Sequence, residues 1–294
     1  MIFILPFAGQ GQTPLYSQYM FNGLAINPAY AGSHEALAVT GSVRKQWVGL
    51  NGAPVTHTLT AHTPVNKKNI AAGLMLRGDY TGATTATMLK GFYVYRITLK
   101  DESKLALGLS AGINHSKTRF TDLSLKDSDD PVYRSNALRY NWAEFGTGLY
   151  YYSQRGYVGL AIPEVLTSKL TSGNNDFKEP YKYMFLTGAY RFYITPFVDF
   201  QPGTLVRVSN SGMVQVDFNT MVSIEKVLDV GLSYRSSSTL VFITKVKLSR
   251  QMELGYSYDA SLATLKYLGK AGHEFVLTYN FKYYSDNIQS PIDF

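Results

Sequence analysis

Leu105–Asn114 reads LALGLSAGIN, and its alternation decides the class of the chain. Leu105, Leu107, Leu109, Ala111 and Ile113 fall on one face. Ala106, Gly108, Ser110, Gly112 and Asn114 fall on the other. A period of two with unlike faces is the signature of a β-strand between two different environments. The pattern recurs along the chain. In His273–Lys282, Phe275, Leu277, Tyr279 and Phe281 oppose Glu274, Thr278, Asn280 and Lys282, with Val276 the one apolar residue on the second face. Val214, Val216 and Phe218 alternate with Gln215, Asp217 and Asn219, and Val230, Leu232 and Tyr234 with Gly231, Ser233 and Arg235. No long segment has a helical period; only 121–125 and 262–267 suit a turn or two of helix.

Extending this reading predicts fourteen strands, at 36–48, 54–63, 69–78, 84–98, 104–117, 140–152, 156–163, 181–194, 196–208, 212–222, 228–236, 239–249, 251–260 and 273–284. The connections between them sort by parity. Those after even-numbered strands are mostly short: Pro64–Lys68, Lys100–Ser103, Ser153–Arg155, Thr195, Ser223–Val227 and Arg250. The long ones, Thr118–Arg139, Glu164–Pro180 and Ser261–Gly272, all follow odd-numbered strands. A soluble sandwich has no reason to segregate its loops in this way. A transmembrane β-barrel does, with long loops outside and both termini in the periplasm. A closed barrel also leaves no unpaired backbone in lipid. The expected fold is therefore all-β, a transmembrane antiparallel barrel over 36–284 with a greasy exterior and a wet lumen. Tyr150–Tyr152, Tyr181, Tyr183, Phe192, Tyr193, Tyr283 and Tyr284 lie near strand ends and are expected to form interfacial girdles. Pro202-Gly203 is expected to bulge or bend the ninth strand, because proline cannot donate to the ladder.

Composition agrees. The chain has 294 residues, a net charge of +7, 45% hydrophobic and 17% charged residues, 25 Gly and 23 Tyr. It is too apolar for disorder, and no run approaches the roughly 20 apolar residues of a spanning helix. With no cysteine there is no disulfide scaffold, Cys-ligated zinc, iron–sulfur cluster or thiol nucleophile. Basic residues are scattered through turns and strand ends, unlike a nucleic-acid binder's. Lys67, Lys68, Lys100 and Lys104 sit in turns where anionic lipid headgroups or plain solubility account for them. Ile2–Ala8 is apolar, and Gly9 and Gly11 suit a cut before Gln12, so 1–11 reads as residual signal peptide without its basic start. Residues 12–35 read as a plug or periplasmic segment, and 285–294 as a periplasmic tail.

Catalytic motifs fail inspection. Gly108-Leu109-Ser110-Ala111-Gly112 matches G-x-S-x-G, but the nucleophile elbow needs a strand-to-helix turn, and this match lies inside a strand. His57 and His62 are five apart and face opposite ways. His273 and Glu274 are adjacent and also face apart, while His34 and His115 show no partner, so each histidine reads as solvated or at a rim. Asp127, Asp129 and Asp130 lack the glycine and distal Glu of an EF-hand loop. No cofactor, metal or catalytic residue is expected.

Four motifs carry a family resemblance. Tyr16–Gly32 is YSQYMFNGLAINPAYAG, Arg44–Pro54 is RKQWVGLNGAP, Glu253–Asp259 is ELGYSYD, and Gly272-His273-Glu274 follows. Together they resemble the PorP/SprF family of Bacteroidota outer-membrane proteins, over essentially all of the mature chain. The resemblance implies a non-enzymatic role in the type IX secretion system. It implies docking or anchoring of a secreted adhesin through its C-terminal sorting domain, and links to periplasmic secretion, gliding and peptidoglycan-anchoring components.

Within that frame, Gln12–Ser33 is expected to start on the periplasmic side and fold into the lumen or across its periplasmic mouth. Tyr19, Phe21, Pro28 and Tyr30 would pack, and Asn22 and Asn27 would bond backbone. Trp47, on the first hairpin, is an interface anchor or a partner hot spot. The candidate plug or partner-binding residues are Tyr19, Phe21, Asn22, Asn27, Pro28, Tyr30, Gly32, Arg44, Gln46, Trp47 and Gly49. Cargo would bind the long loops 118–139 and 164–180. Fourteen strands enclose less than the roughly sixteen to eighteen of porins, too little for a folded adhesin. The alternatives are a passive pore or transporter for a small solute and, more remotely, a lipid hydrolase.

Overall fold

The computed structural model describes residues 15–65, 69–119, 137–170, 182–262 and 271–281. Two single-turn 3₁₀ helices, Gly23–Ala25 and Pro28–Tyr30, precede fifteen strand segments. These are β1 (Leu37–Lys45), β2 (Val55–Val65), β3 (Ile70–Thr81), β4 (Thr84–Thr98), β5 (Lys104–Arg119), β6 (Ala137–Tyr152), β7 (Gly156–Lys169) and β8 (Tyr183–Tyr190). They continue with β9 (Phe192–Thr195), β10 (Val198–Ser209), β11 (Val214–Ile224), β12 (Leu228–Arg235), β13 (Thr239–Lys247), β14 (Met252–Ser261) and β15 (Ala271–Phe281). Each pairs antiparallel with its sequence neighbour, and β1 pairs β15 from Leu37↔Phe281 to Lys45↔His273, which closes the sheet. β8 and β9 both pair β10 in one register and are halves of a single strand interrupted at Arg191, so the wall is a fourteen-strand barrel.

Burial follows the predicted alternation. In β5, Ala106, Gly108, Ser110 and Asn114 are buried while Leu107, Leu109, Ala111 and Ile113 are exposed. Leu109 and Ile113 are 60% and 59% exposed. Exposed Leu, Val, Ile, Phe and Tyr repeat around the outer wall, which is stable only against acyl chains.

Several boundaries move. β7 runs on to Lys169 past Pro163, because the register against β6 shifts between Phe145 and Thr147 and a bulge takes up the proline. The interruption expected at Pro202-Gly203 is one-sided: toward β11, Pro202↔Thr220 and Gly203↔Asn219 lie in unbroken register. The break falls on the opposite side, where the β10 ladder skips from Gly203↔Ala189 to Phe200↔Phe192. Pro202 has no N–H to offer there, and Arg191 turns in to bond Gln201 Oε1 through Nη2 at 2.9 Å.

Three girdle assignments are wrong. Tyr150, Tyr152 and Tyr183 point inward and are 3%, 5% and 5% exposed; Tyr151, Phe192 and Tyr193 face out. The inner wall is also far more apolar than the expected wet lumen. Met75, Met88, Phe92, Val94, Phe185, Leu205, Val241 and Ile243 are all buried there, because residues 16–33 pack against them. Residues 1–14, 66–68, 120–136, 171–181 and 263–270, and everything from Lys282 on, lie outside the described residues. So do the signal, the acidic triplet, Tyr181, Tyr283, Tyr284, the tail and most of each long loop.

Candidate functional site: the lumen and its N-terminal segment

Residues 16–34 bury almost every side chain inside the barrel. Two apolar clusters hold them. Leu24, Ala29, Tyr30 and Ala31 pack with Ala71, Met75, Met88, Phe92, Val94, Ala106, Tyr150, Tyr152 and Tyr157. Tyr16, Tyr19, Met20, Phe21 and Ile26 pack with Tyr183, Phe185, Leu205, Met221, Val241 and Ile243. Full burial of each large side chain contributes about 1.5–3 kcal/mol.

The polar atoms are matched in turn. Asn219 Nδ2 donates to Tyr19 Oη at 2.5 Å, and Thr60 Oγ1 to Asn22 Oδ1 at 3.0 Å. Asn27 caps the second 3₁₀ turn by accepting from Ala29 N at 2.9 Å, and its Nδ2 donates to the Leu149 carbonyl at 2.9 Å. Pro28 follows at the first helical position, where its missing N–H costs nothing. Lys245 Nζ lies 4.8 Å from the Phe21 ring centroid. Gly32 adopts φ +79 and hands its N–H to His62 Nδ1 at 3.1 Å. Its carbonyl accepts from Arg96 Nη1 at 2.8 Å, and the same Nη1 reaches Glu35 Oε1, which also pairs with Lys104.

The wall is shaped for this segment. Gly108 lies against the Pro28–Ala29 backbone, Gly148 and Gly159 against the Asn27 amide, and Gly255 against the Gln18 amide. A Cβ at any of them would overlap those atoms. The small inward residues that read as lumen lining are sockets. Gly108→Val is therefore expected to cost about 1–3 kcal/mol, read as a lower urea midpoint and as faster proteolysis within 16–33.

The other end of the segment is held by ions. Ser17 N donates to Glu274 Oε2 at 2.7 Å, and Ser17 Oγ donates to Asp259 Oδ1 at 2.7 Å. Arg44 Nη1 donates to Ser17 Oγ at 2.7 Å and to Glu274 Oε2 at 2.9 Å, while Nη2 meets Asp259 Oδ2 at 2.5 Å. Arg235 bridges Asp217 at 2.9 Å and Asp259 at 3.7 Å. One residue from each of the four sequence motifs, Ser17, Arg44, Asp259 and Glu274, meets in this cluster. Sequence reasoning quoted all four motifs, assigned a site role to Arg44 alone, and missed its partners.

The direction of the segment also differs from expectation. Ser17 lies beside the ends of β1 and β14 and the start of β15, near the long-loop rim. Glu35 lies beside Arg96 and Lys104, at the short-turn rim. The described segment thus runs from the long-loop end to the short-turn end before β1 turns back. Ser17 finds its charged partners only near the first rim.

The candidates form two groups. Tyr19, Phe21, Asn22, Asn27, Pro28, Tyr30, Gly32 and Arg44 share the lumen. Gln46, Trp47 and Gly49 belong to the 46–54 hairpin outside it. Gln46 N bonds the Pro54 carbonyl at 3.0 Å, Trp47 has φ +49 and is 42% exposed, and Gly49 has φ +100. His34 and His62 are not solvated: they are buried, with Tyr30 Oη 2.9 Å from His34 Nε2 and the two imidazoles 5.2 Å apart. His57 and His62 do face opposite ways, and His115 Nδ1 lies 2.7 Å from Asn141 Oδ1. Ser110 is buried in mid-β5 with no elbow. Among the described residues no group of three or more His, Asp or Glu is placed to hold a metal.

The profile of the family described as type IX secretion system membrane protein PorP/SprF matches residues 8–279. No curated protein matches the chain. Among solved structures, the CymD monoaromatic hydrocarbon channel is similar with a TM-score of 0.54 and 11% identity, over 92% of this chain and 94% of its own. The toluene transporter TbuX of Ralstonia pickettii gives 0.51 and 10%, over 93% and 96%. At these identities the likeness is one of fold, an outer-membrane barrel.

Proposed function

The chain belongs to the PorP/SprF family of type IX secretion system membrane proteins, and from that premise we propose that it docks or anchors a secreted surface protein rather than conducting it. As a family member and a barrel of this fold, it is an outer-membrane component of the secretion system. The observation that carries the finer reading is the lumen. Fourteen strands surround a segment of the same chain that is buried along its length and bonded at both rims. We read that segment as a plug. A plugged barrel offers partners its rims and outer wall, not a passage.

The cargo is a large adhesin held by its C-terminal sorting domain at the long-loop rim, where the 46–54 hairpin presents Trp47. Short turns at the other rim, where β15 ends, are the proposed contact side for periplasmic secretion, gliding and peptidoglycan-anchoring components. No catalytic step is assigned. Pull-down of the intact protein from native outer membranes, read by mass spectrometry, is expected to recover a secreted surface protein with a sorting domain and other secretion components. Recovery of neither, together with steady selective conductance of the intact protein in planar bilayers, would replace this reading with a small-solute pore.

A further inference from the structure

The outward side chains of β15, β1, β2 and β3 do not form a uniform apolar wall. Cross-strand register places Leu277, Gly41, Leu59 and Leu76 in one row. Phe275, Val43, His57 and Gly78 form the row nearer the long-loop rim. Tyr258, His273, Lys45, Val55 and Tyr80 form the row beyond it. Gly41 leaves a gap between two leucines, and a Cβ there would meet nothing within 4 Å. At Gly78 a Cβ would meet only the Tyr80 ring, at 3.7 Å. The result is a groove of about 570 Å³ on the membrane face, walled by Val43, Leu59, Leu76, Leu254, Phe275 and Leu277.

The rimward end of this groove has a different chemistry. Lys45 and His57 are exposed, and His273 is half-buried with its Nδ1 2.8 Å from Tyr256 Oη. The acidic residues of the same strands, Asp79, Asp259 and Glu274, alternate onto the lumen face, and among the described residues no carboxylate pairs with Lys45. Tyr80 and Tyr258 flank the basic groups at the level where aromatic side chains mark the interface. An apolar trough thus rises to a cationic end at headgroup height.

We propose that this groove binds an anionic lipid of the leaflet facing the long-loop rim, a phosphorylated glycolipid of the lipid A kind. One acyl chain lies over Gly41, and the phosphate sits against Lys45 with His57 and His273 beside it. The proposal rests on the outer-membrane seat and orientation argued above, and is independent of the plug and the cargo.

The test compares the purified protein with Gly41→Leu and Lys45→Gln, each incubated in mild detergent with lipid A or with phosphatidylethanolamine and read by native mass spectrometry. Gly41→Leu fills the trough on a side with open space, and is expected to lower retained lipid A about tenfold. Removing one interfacial lysine is expected to lower it about fivefold. Heat-shifted gel mobility reports that each variant is a folded barrel. Equal retention by Gly41→Leu and the parent, or equal retention of phosphatidylethanolamine, overturns the proposal. Loss of heat-shifted mobility in the parent itself also ends it, and distinguishably, by removing the barrel.

Discussion

Removing residues 12–33 is expected to turn a silent barrel into a conducting one. The intact protein should show no steady current in planar bilayers, because residues 16–33 occupy the lumen from the Arg44 cluster to the Arg96–Glu35 pair. The shortened protein should show ohmic current. The inner face it exposes carries Arg44, Arg96, Arg207, Arg235, Lys90 and Lys245 against Asp217, Asp259, Glu144, Glu164 and Glu274, and water will enter a surface so charged. The same deletion uncovers Phe92, Val94, Phe185, Leu205 and Ile243, so heat-shifted mobility has to be confirmed first. A folded, shortened barrel that stays silent would refute the plug.

The second large effect is at Arg44. Its guanidinium is 2% exposed and bonds Asp259, Glu274 and the Ser17 hydroxyl. Arg44→Met leaves Glu274 without its cation and Asp259 with Arg235 alone, at 3.7 Å, in a buried site, which costs about 3–5 kcal/mol. The urea midpoint should fall accordingly, and residues 16–20 should become open to protease. Combining Arg44→Met with Asp259→Asn and Glu274→Gln should recover most of the loss, since the penalty is that of unpaired charge. A single substitution that unfolds with the parent would show that the cluster contributes little.

What the sequence made legible was the wall. LALGLSAGIN predicts its own faces, because a residue facing acyl chains and one facing inward differ in kind, and buried and exposed residues alternate from Ala106 to Ala111 and again at Ile113 and Asn114. Strand number followed from repetition of that signal. The contents of the lumen were not legible in the same way. Period two tells which face a residue takes, not what it meets there. Tyr150 and Tyr152 have the same chemistry as Tyr151, and only the presence of Tyr30, with its ring centroid 5.5 Å from that of Tyr150, makes the inward pair a core and not a girdle. His34 looked partnerless because Asn280 and His62 come from distant strands, and its third partner, Tyr30, reaches it only through the local turn of a segment with no strand or long-helix period. The ionic cluster was half visible. Two of its residues close quoted motifs and a third opens one, yet nothing in spacing says that Asp259 reaches a residue 215 positions earlier.

The position of that cluster bears on assembly. Arg44 and Glu274 face each other across the one ladder that joins the two ends of the sheet, 230 residues apart in the chain. Such a distant pairing is the slow step expected of a sheet of this kind. Ser17 supplies a backbone N–H to one of the two and a hydroxyl to the other. The final zipping of the cylinder and the lodging of its leading residues therefore share the same atoms, so a cylinder that shuts without its occupant forfeits part of what holds its last seam together.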